Sequence, residues 1–521
     1  MSASSSSSSS QCLVRWVSFP ALLFLAVGIS GSSVSASSIC DTKGLNPYDP
    51  LDVLVIGAGW SGLATANRLH RGSDDTDDDG FATSFASNDN FCVLEARDAI
   101  GGRSRTSVGA LIPDFPTELG SAWVWRNSVI RDIFEAANVN TGSPSFFDYD
   151  SLGLYFEPWG GEVPLGTSQN EFLRGTYEDF EDYVKRWSWN DVSMSTMIDW
   201  YFEDNPELDT GMARKAILAM LCPVVHSEFG MYLSEADSSF LARQLTPTFS
   251  IDLVALPGGG FKYALEYFAA SFMDHIQLNK QVVEIDYKKE NTNGLVKVTS
   301  VDRTTNATHI HYARSVVTTV SLGVLQHGDL NFEPALPKRK TKAIQEMGMG
   351  NINKCIMYWN STVKDVSWWP TDMVDLQLIT EDEDDSMDWT YFINDQSHEG
   401  NEENHILTAW LGGVAADQWE NRTDEETIDH VLNNLRRMFP VPFEVPEPTK
   451  FVVTRWKSDP FTRGTYHYHR VGVDTYAAER ALASPVRKKL YFAGEATSSG
   501  MSAPDAYWSG ERAVGEIIDS G

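Results

Sequence analysis

Cysteine, basic charge and long apolar runs are all scarce in this chain, and each scarcity excludes a class of protein. Five cysteines in 521 residues cannot staple a disulfide scaffold, and none of them has metal-ligand spacing. Lysine and arginine total 41 against 72 acidic side chains, a formal net charge of −31. That field repels a polyphosphate backbone and argues against nucleic acid as a partner, while raising the local concentration of small cations. Part of the excess lies in two runs, Asp74 to Asp79 and Glu381 to Asp385, which fit solvated loops. The apolar run Val17 to Ile29 is too short and interrupted for a stable membrane span. There is no internal repeat, and low complexity is confined to the leader and the acidic insertions. With 42% hydrophobic and 22% charged residues, the chain can bury sizeable cores and is expected to form two or three globular domains rather than a fibre or a disordered coil.

What is present begins at the N-terminus. Ser4 to Ser10 precede Arg15 and the apolar run, and small residues ending Val34-Ser35-Ala36 follow. A positive flank, a short apolar core and a small-x-small site form the signal-peptide pattern, so residues 1–36 are expected to be a leader and the protein secreted or luminal. An uncleaved anchor or an organelle presequence is the competing interpretation. Beyond Ala36 remain Cys40, Cys92, Cys222 and Cys355, whose pairing spacing leaves open. Asn306, Asn360 and Asn421 begin glycosylation sequons, usable only along a secretory route.

The strongest local signal follows the leader. Asp52-Val53-Leu54-Val55-Ile56 predicts a strand, Gly57-Ala58-Gly59-Trp60-Ser61-Gly62 a glycine turn, and Leu63 to His70 a helix. Gly57 permits the tight turn, Gly59 admits a pyrophosphate to the helix N-terminus, and Gly62 lets helix and strand pack closely. A second strand, Phe91-Cys92-Val93-Leu94, ends in Glu95, an acid suited to ribose hydroxyls. The long interval between them, Gly72 to Asn90, is rich in Asp, Ser and Asn and is expected to be a disordered surface insertion. Gly101-Gly102-Arg103 adds a second glycine turn and a fixed cation for a pyrophosphate. Near the C-terminus Leu490 to Phe492 predicts a strand running into Gly494-Glu495, whose carboxylate suits a ribityl chain.

Together with Glu118-Leu119-Gly120-Ser121-Ala122-Trp123, Ser321-Leu322-Gly323-Val324-Leu325 and Asn353-Lys354, these landmarks resemble the flavin-containing amine oxidases, polyamine oxidases most closely, from about Asp52 to Ile518. The resemblance implies an α/β fold with a discontinuous Rossmann-type FAD-binding domain, residues 50–129, 252–339 and 471–521. It also implies an α+β substrate domain of the amine oxidase type, residues 130–251 and 340–470. The cofactor would be noncovalent FAD, met by Gly57, Gly59, Ser61, Gly62, Glu95, Arg103, Ala122, Trp123, Val282, Gly494 and Glu495, with no metal. Val282 would meet the adenine through its backbone.

For chemistry, the resemblance implies hydride transfer from a polyamine to the flavin, reoxidation by O2 and release of H2O2. The expected partners are a small cationic amine and O2, with the chain a monomer or weak homo-oligomer. Lys354 would hold a water beside flavin N5; strand alternation places it on the face of Ile352, Ile356 and Tyr358. Glu228 would attract a distal ammonium while Phe229 and Trp123 line the substrate tunnel. Two departures reshape the pocket: Trp125 replaces an acid or histidine, and His469 stands where a tryptophan is expected. A third is the shortened segment after Glu495, which removes a Tyr-x-His-Gly stretch. A secreted L-amino-acid oxidase or another primary or secondary amine oxidase is the rival; the former needs an arginine just after Glu-Leu-Gly to pair a substrate carboxylate, and Arg126 comes late. The second rival is a flavin-binding protein with degraded catalysis.

Overall fold

Leu51–Ile56 forms strand β1, and Gly57 turns the chain into helix α1, Trp60–Arg71. Gly72 caps that helix, and Phe91–Leu94 forms strand β2. The computed structural model describes residues 38–72, 88–139, 144–146, 153–156, 161–163, 167–187, 189–222, 225, 230–239, 242, 252–255, 260–288, 294–360, 375–379, 391–393, 405–439 and 445–520. The leader and most of the predicted insertion, residues 73–87, lie outside them.

β1 and β2 are the heart of an eight-stranded sheet ordered Ile276–Gln277, β2, β1, Thr308–Thr318, Val296–Asp302, Lys280–Asp286 and Asn331–Glu333. Leu490–Phe492 joins beside the second half of Thr308–Thr318. β1 runs parallel to both of its neighbours, which explains its β-branched, nearly uninterrupted apolar sequence: a central parallel strand is covered on both faces. Helices supply that cover. On one face α1, Phe261–Ala269 and Ala503–Ser520 bury Leu63, Phe261 and Ala513; on the other Lys338–Glu346 and helix α2, Thr475–Ala483, bury Ile344 and Leu482. The chain leaves β1 toward β2 on one side and meets Thr308–Thr318 on the other. That is the topological switch point at which open α/β sheets bind ligands, beyond the carboxyl ends of the strands.

A second sheet of seven strands is ordered Lys450–Val453, Ile352–Trp359 (β3), His405–Gly412, Tyr391–Ile393, Asp375–Ile379, Gly153–Phe156 and Gly161–Val163. All of β3 is buried. Cys355, Met357 and Trp359 pack with Val431 and Leu435 of the helix Asp424–Met438, and the opposite face carries Lys354, Ile356 and Tyr358. The helices Ser168–Trp187, Met194–Asp204 and Gly211–Cys222 share another core around Phe180, Tyr201 and Ile217.

Cys40 and Cys92 form a disulfide with Cα atoms 5.5 Å apart, tying the segment ahead of β1 to β2. Among the described residues no helix is long and apolar enough to cross a membrane.

Candidate active site

A cleft opens at the carboxyl ends of β1 and β2. It gathers Gly57, Gly59, Ser61, Glu95, Arg103, Val282, Gly494 and Glu495, eight positions singled out from sequence and drawn from four stretches of chain. Gly57 has φ +102°, and a Cβ there would stand 2.6 Å from Thr319 Oγ1. Gly62 does not line the cleft; a Cβ on it would collide with the Gly57 carbonyl, so its role is the close packing of helix on strand. The two glycine turns meet, with the Cα of Gly59 3.4 Å from where a Gly102 Cβ would sit. Their junction therefore presents backbone rather than side chain. α1 begins there with Gly59 as N-cap and no side-chain cap, leaving first-turn amides to an anion.

Glu95 is buried just past the end of β2, one oxygen accepting the Ala58 N–H at 2.7 Å and the other the Arg97 N–H at 2.8 Å. Burial raises its carboxyl above the ordinary range, the backbone donors opposing the shift only in part. Val282 precedes a β-bulge, since Val282 pairs with Ser300 and Glu284 with the adjacent Thr299, and a bulge loosens the ladder where a ligand approaches. Ser61 Oγ lies 3.1 Å from Ser509 Oγ, which accepts the Gly494 N–H at 2.8 Å. The first and last fingerprints are thereby joined through a serine pair.

Arg103 and Glu495 form an ion pair at 2.8 Å, and the same guanidinium donates to the Thr465 carbonyl. Glu495 also meets His467 Nδ1 at 2.6 Å, and His467 Nε2 reaches Glu479 of α2 at 3.0 Å. Burial by itself would push the His467 imidazole down, but Glu495 and Glu479 outweigh it and hold it at about 9. Burial likewise opposes ionisation of Glu495, yet Arg103 and His467 bring its carboxyl to about 2. At neutral pH the row Arg103, Glu495, His467, Glu479 alternates in sign. His467 and Glu479 were missed in the sequence, although a histidine two residues after the Gly464-Thr465 turn was a usable signal. Tyr466, beside it, lines the cleft.

Lys354 does not snorkel. Only 2% exposed, its Nζ donates to the Gly120 carbonyl at 2.6 Å and the Glu118 carbonyl at 3.3 Å, and lies 4.2 Å from the centre of the Trp410 ring. The Glu-Leu-Gly landmark and the β3 lysine are thus one structural unit. Ala122 is buried just ahead of Trp123–Trp125. Alternation along that short strand sends Val124 into the core under α1 and Trp123 toward the three-helix core around Phe180, Tyr201 and Ile217. Trp123 and Trp125 are half-buried and neither lines the cleft. His469, 3% exposed, packs edge-on against Tyr476 with Nε2 3.6 Å from Glu479, on the α2 side of the network. Glu228 and Phe229 lie outside the described residues.

The cleft fits an FAD by its donor set: a side-chain-free double glycine turn and uncapped helix N-terminus for a diphosphate, an arginine beside them, and carboxylates at two separated positions for hydroxyl groups. The family model described as flavin containing amine oxidoreductase matches residues 60–518. Probable polyamine oxidase 4 of Arabidopsis thaliana is 29% identical over 467 residues, covering 86% of this chain and 82% of that one. Polyamine oxidase 4 of Oryza sativa subsp. japonica is 29% identical over 489 residues, covering 90% and 88%. A solved structure of putrescine oxidase bound to putrescine superposes with TM-score 0.66 at 17% identity, covering 90% of this chain and 99% of that one. With sequence match, fold and cleft in agreement, this chain belongs to the flavin-containing amine oxidoreductase family and is an FAD-dependent amine oxidase.

Proposed function

We propose that this oxidase acts on polyamines of the spermine and spermidine class, converting polyamine, O2 and water into an aldehyde, a smaller amine and H2O2. The observation that carries the oxidase half is the buried ammonium of Lys354, pinned between the Gly120 and Glu118 carbonyls and the Trp410 ring. The polyamine half is supported by the two plant polyamine oxidases aligned along most of the chain and by the net charge of −31, which attracts cations.

The chemistry supplied by bound FAD is acceptance of a hydride equivalent from the carbon next to a neutral amine. In this proposal the chain's own groups hold, orient and dry the site. The α1 amides and Arg103 hold the diphosphate, Glu95 the ribose, the Val282 backbone the adenine and Glu495 the ribityl chain. Lys354 orders a water at the reacting centre, Trp123 and Phe229 flank the methylene chain, and Glu228 pairs with a distal ammonium. The layers around the eight-stranded sheet form the FAD domain, and those around the seven-stranded sheet and the three-helix core form the substrate domain. Secretion is supported by the Cys40–Cys92 disulfide, a bond of oxidising compartments, and by the exposed Asn306 and Asn421 of two sequons.

Peroxide release measured over spermine, spermidine, putrescine and a set of L-amino acids tests the proposal. Turnover is expected on the polyamines. Turnover on amino acids alone would transfer the chain to the rival oxidase class, and none on either with FAD bound would leave a binding protein.

The flavin is expected to come off on acid precipitation, leaving a colourless pellet. Cys40 and Cys92 are bonded to each other and Cys355 is buried in the second sheet with its thiol pushed up by burial; none of these lines the cleft. A yellow pellet would show a covalent link.

A further inference from the structure

Away from the cleft, two imidazoles and a carboxylate converge where α1 ends. His70 lies in the last turn of α1, Asp89 on the approach to β2, and His275 ends the short turn Ala270–His275 that feeds the edge strand Ile276–Gln277. One ligand-type atom from each lies within 4.8 Å of the other two.

His275 is built in. It is 6% exposed, and its ring stacks on Phe91 with centroids 4.3 Å apart. Its Nδ1 stands 3.1 Å from the Phe91 carbonyl oxygen. A carbonyl only accepts, so the proton belongs on Nδ1, and Nε2 is left presenting a lone pair. Nε2 has no hydrogen-bond partner among the described residues; the Asp274 carboxylate is 3.8 Å away. A ring nitrogen fixed by a backbone carbonyl on its far side is the arrangement that supports metal-ligating histidines. Facing it, His70 Nδ1 lies 2.9 Å from Asp89 Oδ1, and the two imidazole rings are 6.1 Å apart.

We propose that His70, Asp89 and His275 form a Zn²⁺ site, with solvent in the fourth position. Two neutral imidazoles and one carboxylate are borderline donors that suit Zn²⁺, whereas Ca²⁺ and Mg²⁺ take oxygen ligands. Bonds of about 2.0–2.2 Å in a tetrahedron set ligand atoms about 3.3–3.6 Å apart. The closure from 4.8 Å falls on the half-exposed His70 and the exposed Asp89 while His275 stays packed. The metal would cross-link the end of α1, the entry to β2 and the entry to the sheet's edge strand. Cys92, in β2, already anchors the same edge through its disulfide to Cys40. The site is separate from the cleft, so its failure and that of the amine oxidase chemistry are distinguishable.

The test uses the flavin-loaded enzyme after chelator dialysis, titrated with Zn²⁺ by calorimetry and with Co²⁺ by its ligand-field bands beyond the flavin absorption. Saturable binding of a single Zn²⁺ per chain and a raised thermal midpoint are expected. Even losing a supporting hydrogen bond costs a metal site ~10–100-fold, so Asp89→Ala and His70→Ala, both at yielding positions, should each weaken Zn²⁺ binding by ~100-fold or more. Peroxide production by the metal-free enzyme should be unchanged. Absence of saturable binding at micromolar Zn²⁺, or full affinity in both variants, would overturn the site.

Discussion

Replacing Lys354 with methionine is expected to lower kcat ~100-fold or more, at the scale of a lost proton-handling or electrostatic group, while FAD stays bound. The residue is 2% exposed on β3, and its ammonium is held by the carbonyls of Gly120 and Glu118. Methionine keeps most of the stem volume and removes the charge and the donors. The buried Glu118 carbonyl and the part-buried Gly120 carbonyl then lose a partner, which costs ~1–3 kcal/mol for the buried one and less for the other, small enough for a large domain to remain folded. Arginine should not rescue, because a planar guanidinium is too large for a slot shaped around an ammonium and roofed by Trp410. Stopped-flow mixing of the reduced variant with oxygen separates the effects: slowed reoxidation is the expected result. Wild-type turnover and wild-type oxygen reactivity would reduce Lys354 to a brace between β3 and the Glu-Leu-Gly turn.

Stability of the wild-type enzyme should decline as pH rises through about 9, and His467→Gln should abolish that decline. The folded His467 sits at about 9 against an ordinary 6.5, so its contribution is complete below the ordinary value and lost as pH climbs through the folded one. Glu495, lowered to about 2 from 4.5, has the opposite sign: its contribution is present above the ordinary value and lost toward about 2. The two shifts share only the His467–Glu495 contact, since Arg103 also lowers Glu495 and Glu479 also raises His467; the His467 shift alone is worth about 3 kcal/mol and is not added to that of Glu495. Glutamine can donate to one carboxylate but carries no charge, leaving Glu479 and Glu495 buried against each other. Loss of one partner from a buried ionic group costs ~3–5 kcal/mol, so the variant should be less stable at neutral pH and bind FAD more weakly through a displaced Glu495. Urea midpoints for both proteins from about pH 6 to about pH 10 give the comparison, since tyrosine and lysine titrations are common to both. Parallel pH profiles would place the charge elsewhere.

Features written in contiguous sequence were legible. A β-branched run, a glycine turn and a helix start announce themselves because backbone propensity and turn stereochemistry are local, and β1, α1 and β2 lie where those signals place them. Strand periodicity likewise put Lys354 on the face of Ile356 and Tyr358. Its burial was not legible: a lysine on a strand snorkels or is enclosed according to what covers the strand, here Trp410 from the neighbouring strand and the carbonyls of Glu118 and Gly120.

The sequence by itself determined that this chain builds a dinucleotide cleft, because the two glycine turns, Glu95 and Gly494-Glu495 that line it are short motifs whose chemistry is contained in adjacent residues; Pro460 to Thr462 and Tyr466, which also line it, carry no such local signal. Only the tertiary structure decided how the charges are shared. Arg103 and Glu495 each suit part of a cofactor, yet they pair with each other, and His467 and Glu479 complete the row from other stretches of chain. It likewise chose Cys92 as the partner of Cys40 and set His275 against His70 and Asp89. Periodicity reports which way a side chain points from its own element; which distant side chain it meets depends on how sheets and helices stack, and that is fixed by burial of the whole apolar surface.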